Sequence, residues 1–152
     1  MSQTDHPSAE ALRQRAAELF NATWDLLERR GRTEEEDLDM VHMAHASRHF
    51  WGLAGGDRER ATGEWQVSRV YARLHMGQSA LFHARASLRY CEKAHLPAFD
   101  RAFAYEAIAR AHALLDNADQ LQIFLAKARQ TAPLIEKEED RKYLLAELDT
   151  IL

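Results

Sequence analysis

Apolar residues recur at every third or fourth position along most of the chain, and this spacing is the strongest constraint on its fold. The first such stretch contains Leu12, Ala16, Leu19, Phe20, Trp24 and Leu27. This period places apolar side chains on one face of an α-helix, which has 3.6 residues per turn. The chain also has 26 Ala and 19 Leu but only seven Val plus Ile, and β-branched residues are the ones that favour strands. The sequence therefore predicts an all-α fold.

Prolines and glycines interrupt the helical period and divide the chain into seven predicted helices. The breaks lie at Pro7, Gly31, Gly55-Gly56, Gly77, Pro97 and Pro133. The predicted helices cover residues 8–30, 34–53, 58–75, 78–94, 98–115, 118–131 and 134–151. Their short connections predict antiparallel helical hairpins. We expect one domain over residues 1–152, with a flexible N-terminus at residues 1–7.

Part of the second predicted helix is repeated in the fourth at a shift of 40 residues. Residues 44–50 align with residues 84–90 and match at two Ala, one Ser and one aromatic position. At a shift of 41 residues, 71–74 align with 112–115, and Arg69 aligns with Arg110. A fixed period of about 20–50 residues with two helices per unit is typical of arrays in which each hairpin packs against the next.

The small and aromatic residues within these units resemble the pattern of the tetratricopeptide-like family. One unit matches at Trp65 or Glu64, Ser68, Tyr71, Ala80, Ala84 and Ser87, and the next at Tyr105, Ala109, His112, Leu121, Leu125, Ala128 and Pro133. The period near 40 exceeds the family's period of about 34 residues, and Ser68 and Ala109 replace its glycine. The resemblance covers residues 58–133 and implies a degenerate, long-period variant in a small bacterial protein. It implies a right-handed array of about three antiparallel hairpins with a C-terminal capping helix. An unrelated Ala-rich helical bundle is the alternative.

In the resembled family, the first helix of each unit lines a binding groove. The corresponding positions here are Trp65, Arg69, Arg73, Phe103, Glu106 and Arg110. Guanidinium groups bind carboxylates through two parallel hydrogen bonds, and a tryptophan offers an apolar or cation-binding wall. The resemblance therefore implies a non-catalytic module that binds a protein or peptide with an acidic segment or a C-terminal carboxylate. The alternative is that Arg69 and Arg110 pair internally with Glu64, Glu106 or Asp100.

Three histidines in the second predicted helix suggest a different function. His42, His45 and His49 are spaced i, i+3, i+7 and share one stripe of the helix. Imidazole is a common metal ligand, so the alternative function is a metal- or small-molecule-binding protein, which could be an enzyme that also uses Glu64 or Tyr105. The competing interpretation is a polar helix face whose histidines bond to neighbouring side chains. Because no His-Glu-x-x-His, Gly-x-Ser-x-Gly or phosphate-binding glycine loop is present, we predict no cofactor and no catalytic residue.

Charge and hydropathy exclude several partners. The formal net charge of −4 lacks the positive excess that a general nucleic-acid-binding protein needs. No apolar run approaches the roughly 20 residues of a membrane-spanning helix, and the N-terminus does not have the pattern of a signal peptide, so we expect no membrane partner and a cytoplasmic location. Cys91 is the single cysteine and is expected to be a small core residue. A homodimer is a further expectation, because a short array can leave an apolar edge that a second copy covers.

Overall fold

The chain is described by a computed structural model over residues 5–151, and within that range it contains seven α-helices, one 3-10 turn and no strand. The helices are α1 (Ala9–Glu28), α2 (Glu34–Ala54), α3 (Asp57–Arg73), α4 (Gly77–Lys93), α5 (Ala98–Leu114), α6 (Ala118–Thr131) and α7 (Glu138–Asp149). The all-α prediction is confirmed. Residues 1–4 of the N-terminal segment predicted to be flexible lie outside the described residues. None of the helices in residues 5–151 combines the length and the hydropathy needed to cross a bilayer.

The helix ends follow local capping chemistry. The side chain of Ser8 accepts a hydrogen bond from the Ala11 backbone N–H at 3.1 Å and caps α1, as expected of serine at this position. Thr33 and Glu36 form a reciprocal capping box at the start of α2. The first helix ends at Glu28, earlier than predicted, and Gly31 lies in the connection with a φ of 69°.

The predicted start of the last helix at residue 134 is wrong. Pro133 lies in a 3-10 turn, Ala132–Leu134, and Ile135 then adopts an extended conformation. The side chain of Ile135 is buried in the core. The chain must leave the helical path to bury it, so α7 begins only at Glu138.

Contacts between the helices follow the chain order. The closest pairs are α1 with α2, α3 with α4, and α5 with α6, and each pair contacts the next through α2 and α3 or through α4 and α5. The odd-numbered helices also contact one another in sequence, α1 with α3, α3 with α5, and α5 with α7. They therefore share one side of the molecule, which we call the odd-helix face.

Two buried serines give the 40-residue repeat a physical basis. Ser47 on α2 donates a hydrogen bond to the backbone carbonyl of Ala16 on α1, and Ser87 on α4 donates to that of Ala61 on α3; both distances are 2.8 Å. Each hydroxyl satisfies its hydrogen-bonding capacity inside the core, as a buried polar group must. The repeated serine thus marks the same contact between an odd-numbered helix and the following even-numbered helix.

Three helices end in the same type of turn without a glycine. His75, His95 and Asp116 follow α3, α4 and α5 with φ values of 60°, 50° and 54°. In each turn the next backbone N–H donates to the carbonyl five residues earlier, at 2.9 to 3.0 Å, which is the main bond of a Schellman motif. Left-handed backbone is unfavourable for residues with a Cβ atom, so each of these turns carries local strain.

Gly63 lies where α3 packs closely against Arg48 of α2. A Cβ atom at this position would lie 2.9 Å from the Cδ atom and 3.2 Å from the Cα atom of Arg48. Glycine therefore lets Arg48 lie directly across α3, where its guanidinium reaches Glu64.

Candidate binding face and its two cavities

Two open cavities of about 290 Å³ each lie on the odd-helix face. The first, the aromatic cavity, is lined by Phe20, Trp24, Ala61, Thr62, Trp65, Ser87, Cys91, Phe99, Asp100, Phe103 and Tyr143. The second, the arginine cavity, is lined by Arg69, Ala72, Arg73, His75, Arg110, Ala113, Leu114, Thr150 and Ile151. Both use α3 and α5. Trp65 and Arg73 are eight residues apart on α3, which corresponds to about 12 Å along the helix axis.

The walls of the aromatic cavity come from all four odd-numbered helices. The Trp24 ring of α1 lies 5.4 Å from the Trp65 ring of α3, and Trp65 lies 5.7 Å from Phe103 of α5. Phe103 in turn lies 5.2 Å from Tyr143 of α7. These centroid distances are typical of interacting aromatic pairs, so the rings form a continuous wall.

Asp100 is the single charged residue among the described residues that line the aromatic cavity. Its side chain is only 8% exposed, and its Oδ2 atom lies 3.3 Å from the Nη2 atom of Arg58, whose side chain is 59% exposed. Burial raises the pKa of Asp100 above its usual value, and the nearby Arg58 guanidinium offsets this only in part. The cavity therefore has a carboxylate that its surroundings stabilise incompletely.

Cys91 lines the aromatic cavity but offers no reactive thiolate. It is fully buried, and burial raises the pKa of its thiol to about 12. The thiol is therefore protonated at neutral pH, and nucleophilic chemistry requires the thiolate.

Two arginines and two glutamates form an ion-pair network beside the arginine cavity. The Nη2 atom of Arg69 lies 2.5 Å from Glu147 Oε2 and 3.7 Å from Glu106 Oε1. The Nη2 atom of Arg110 lies 2.6 Å from Glu106 Oε1, and the Glu106 side chain is fully buried. Burial tends to lower the pKa of Arg69, but the charges of Glu106 and Glu147 raise it overall. Arg69 and Arg110 thus pair internally, with Glu106 as one partner considered from the sequence and Glu147 as a partner that was not.

Arg73 differs from these two arginines. Its Nη1 atom donates to the backbone carbonyl of Leu27 at 2.9 Å, and no carboxylate within residues 5–151 forms a salt bridge with it. Burial lowers the pKa of Arg73, and the positive charges of Arg69, Arg32 and Arg110 lower it further. Because Glu106 and Glu147 already balance Arg69 and Arg110, the arginine cavity retains the charge of Arg73.

The three histidines of α2 do not converge on one point. His42 and His49 are exposed, whereas the Nε2 atom of His45 lies 2.8 Å from the hydroxyl of Tyr71. Within residues 5–151, no three His, Cys, Asp or Glu side chains lie close enough together to hold a metal ion. Tyr105 packs against Phe124 and under the Lys127 ammonium group.

Glu64 lies in a separate polar cluster between α2, α3 and α4. Its carboxylate accepts a hydrogen bond from Arg48 Nε at 2.9 Å and lies 2.6 Å from His83 Nδ1. Burial acts to raise the pKa of Glu64, but the His83 hydrogen bond and the Arg48 charge lower it overall. Burial and the neighbouring His83 lower the pKa of His45. This cluster connects three helices, and its members do not line either of the two cavities.

Five of the six groove positions expected from the sequence line one of the two cavities. Trp65 and Phe103 line the aromatic cavity, and Arg69, Arg73 and Arg110 line the arginine cavity. Glu106 lines neither; it is buried and paired with Arg110. Other residues that line the cavities were not predicted as groove positions, among them Phe20, Trp24, Phe99, Asp100, Tyr143, His75 and Thr150. One signal was available for three of them, because Phe20 and Trp24 form an i, i+4 pair, as do Phe99 and the predicted Phe103, and the members of such a pair share a helix face.

No protein-family model matches the chain, and no curated protein matches it significantly.

Proposed function

We propose that the chain is a tetratricopeptide-like module of three antiparallel hairpins and a C-terminal helix that binds an extended segment of a partner protein. The sequential contacts of the odd-numbered helices support a concave odd-helix face. The serine bonds repeated at residues 47 and 87 support an array of equivalent hairpins. The proposed role is non-catalytic, and the composition favours a cytoplasmic location.

The observation that carries this proposal is the pair of cavities along α3 and α5. Their separation of about 12 Å corresponds to about four residues of extended chain, at roughly 3.3 Å per residue. One side chain of the partner would fill the aromatic cavity, and a carboxylate three or four residues away would enter the arginine cavity. Arg73 is the group we expect to bind that carboxylate, because Arg69 and Arg110 already have carboxylate partners.

The test uses hexapeptide libraries with a free C-terminal carboxylate or with acidic side chains, compared with the amidated, neutral libraries. Binding is measured by fluorescence anisotropy and by enrichment on the immobilised protein. We expect Arg73→Gln to weaken binding of the carboxylate libraries about tenfold, which is the loss typical of a charge-assisted hydrogen bond.

Arg85→Gln is the matched control, because Arg85 is exposed on α4 and lines neither cavity. It removes the same charge and is expected to leave binding unchanged. Equal binding to wild type and to Arg73→Gln, with both folded by circular dichroism, would reject the proposed site.

A further inference from the structure

We infer that the aromatic cavity selects a cation, namely the alkylammonium group of a lysine or methylated lysine side chain on the bound segment. This inference rests on the proposed function, because it names the side chain that fills the first cavity. The bound segment would then carry a positive group and a carboxylate about four residues apart.

The wall of the aromatic cavity favours a cation. Trp24, Trp65, Phe103 and Tyr143 each come from a different helix and present aromatic rings to the same space. The faces of such rings carry partial negative charge and attract cations, most strongly for tryptophan. One ring already shows this preference, since the Arg69 guanidinium lies 5.8 Å from the centre of the Trp65 ring.

The charge of the aromatic cavity also complements a cation. Among the described residues, no Lys, Arg or His lines the aromatic cavity, whereas Asp100 places a carboxylate there. Asp100 is largely buried, and its cationic neighbour, Arg58, is mostly exposed. An ammonium group in the cavity would meet aromatic faces and this carboxylate together. A neutral apolar group in the cavity would give the Asp100 carboxylate no cationic partner and would make no favourable electrostatic interaction with it.

The arginine cavity is lined by charges of the opposite sign. That cavity has about the same volume, yet Arg69, Arg73 and Arg110 line it, and no carboxylate among the described residues does so. A ligand with charges of opposite sign at its two ends therefore fits the odd-helix face in one direction only. The reversed orientation would bring its ammonium group to three guanidinium groups.

The experiment compares choline with 3,3-dimethylbutan-1-ol, which has the same shape but no charge. Titrations follow tryptophan fluorescence and the indole N–H signals of Trp24 and Trp65 in nuclear magnetic resonance spectra. Trp51 serves as the internal reference because it does not line the cavity. We expect choline to bind at least tenfold more tightly than the neutral alcohol. Equal binding, tighter binding of the alcohol, or no binding of either compound would overturn the inference.

Two substitutions near the carboxylate are expected to act in opposite directions. Asp100→Asn should weaken choline binding at least threefold, whereas Arg58→Gln should strengthen it, because it frees Asp100 from its exposed partner. Neither should change binding of the neutral alcohol. Asp119→Asn, in the first turn of α6, is the matched control, and thermal unfolding shows that each variant is folded. If Asp100→Asn and Arg58→Gln leave choline binding unchanged, the inference fails.

The inference and the proposed function fail in different ways. If peptides bind through Arg73 but choline and the alcohol bind equally, the inference is wrong and the proposed function stands. If choline binds selectively but no peptide library binds, the proposed function is wrong and the cation site stands.

Discussion

The two cavities of the odd-helix face have the same volume and opposite chemistry. The aromatic cavity has apolar walls and one carboxylate, Asp100, whereas the arginine cavity has three guanidinium groups and no carboxylate among the described residues. Both are built on α3 and α5, within about 12 Å of each other. One pair of helices thus lines two cavities of different chemistry.

The cavities also differ in what holds them together. The rings of the aromatic cavity pack against one another, so its shape depends on van der Waals contact among four helices. The arginine cavity instead depends on Glu106 and Glu147, which hold Arg69 and Arg110 in place. Removal of a carboxylate should therefore disturb mainly the arginine cavity, whereas removal of a ring should disturb mainly the aromatic cavity.

The largest effect is expected from Glu106→Gln. This substitution removes the buried carboxylate shared by Arg69 and Arg110, and breaking a buried ion pair costs about 3–5 kcal/mol. We expect the free energy of unfolding, measured by urea denaturation, to fall by an amount in this range. Glu139→Gln, which is exposed on α7, should change it little. A loss as small as that of the control would show that the network does not hold the arginine cavity.

Phe103→Leu should have a smaller effect on stability and a selective effect on the aromatic cavity. The substitution keeps an apolar side chain of similar volume, so the expected loss is about 1–1.5 kcal/mol. Choline binding should weaken because one ring of the wall is lost. Phe124→Leu provides the comparison, because Phe124 is partly buried outside both cavities. A similar loss of choline affinity in both variants would argue against a specific role of the wall.

The aromatic cavity should respond to pH through Asp100. Burial raises the pKa of this carboxyl above 3.8, so protonation on acidification removes the charge that attracts an ammonium group. Choline affinity, measured by fluorescence between pH 7 and pH 4, should fall with pH in the wild type and stay constant in Asp100→Asn. The same decline in both proteins would assign the effect to another group.

The raised pKa of Asp100 also predicts that replacing this residue increases the free energy of unfolding at neutral pH. A carboxyl whose pKa is raised on folding makes its full contribution to the stability of the folded state below its unfolded-state pKa of about 3.8, and this contribution is lost as the pH rises through the higher folded-state pKa. At pH 7 the charged Asp100 therefore opposes folding. Asp100→Asn should raise the free energy of unfolding at pH 7, and a decrease would contradict this account. A site residue that reduces stability is typical of a functional position.

The smallest effect is expected at the turn after α3. His75 has a φ of 60°, and replacement by glycine removes the Cβ strain, for an expected gain of about 0.5–1 kcal/mol. His95→Gly in the equivalent turn should give a similar gain in thermal unfolding. Of these two histidines, only His75 lines the arginine cavity. His75→Gly should therefore change binding of the carboxylate peptides, whereas His95→Gly, with similar stability, should not. His75→Ala, which keeps the Cβ atom, should not be stabilised.

The sequence predicted the local features of the fold well. The helical period and its breaks place α6 at Ala118–Thr131, as the structure has it, because those signals lie within or next to the helix. The start of α7 was missed because the burial of Ile135 depends on the packed core. The helical period of a segment cannot predict that a residue such as Ile135 leaves the helical conformation to pack in a core formed by residues distant in sequence.

The site was predicted only where its residues share a helix or a repeat. The repeat aligned Arg69 with Arg110, and these two side chains do lie together. Glu147 is 78 residues from its partner Arg69, and neither the period nor the motif links them. The aromatic cavity also joins Phe20 with Tyr143, and such a combination follows only from tertiary packing.

Gly63 has a consequence for the opposite side of α3. Arg48 contacts this glycine from α2, and α2 packs closely with α1, which carries Trp24. We expect a methyl group at position 63 to displace Arg48 and, with it, the first helical pair, which would change the distance between the Trp24 and Trp65 rings. The spacing of these two rings would then depend on the hydrogen atom that glycine carries in place of a side chain.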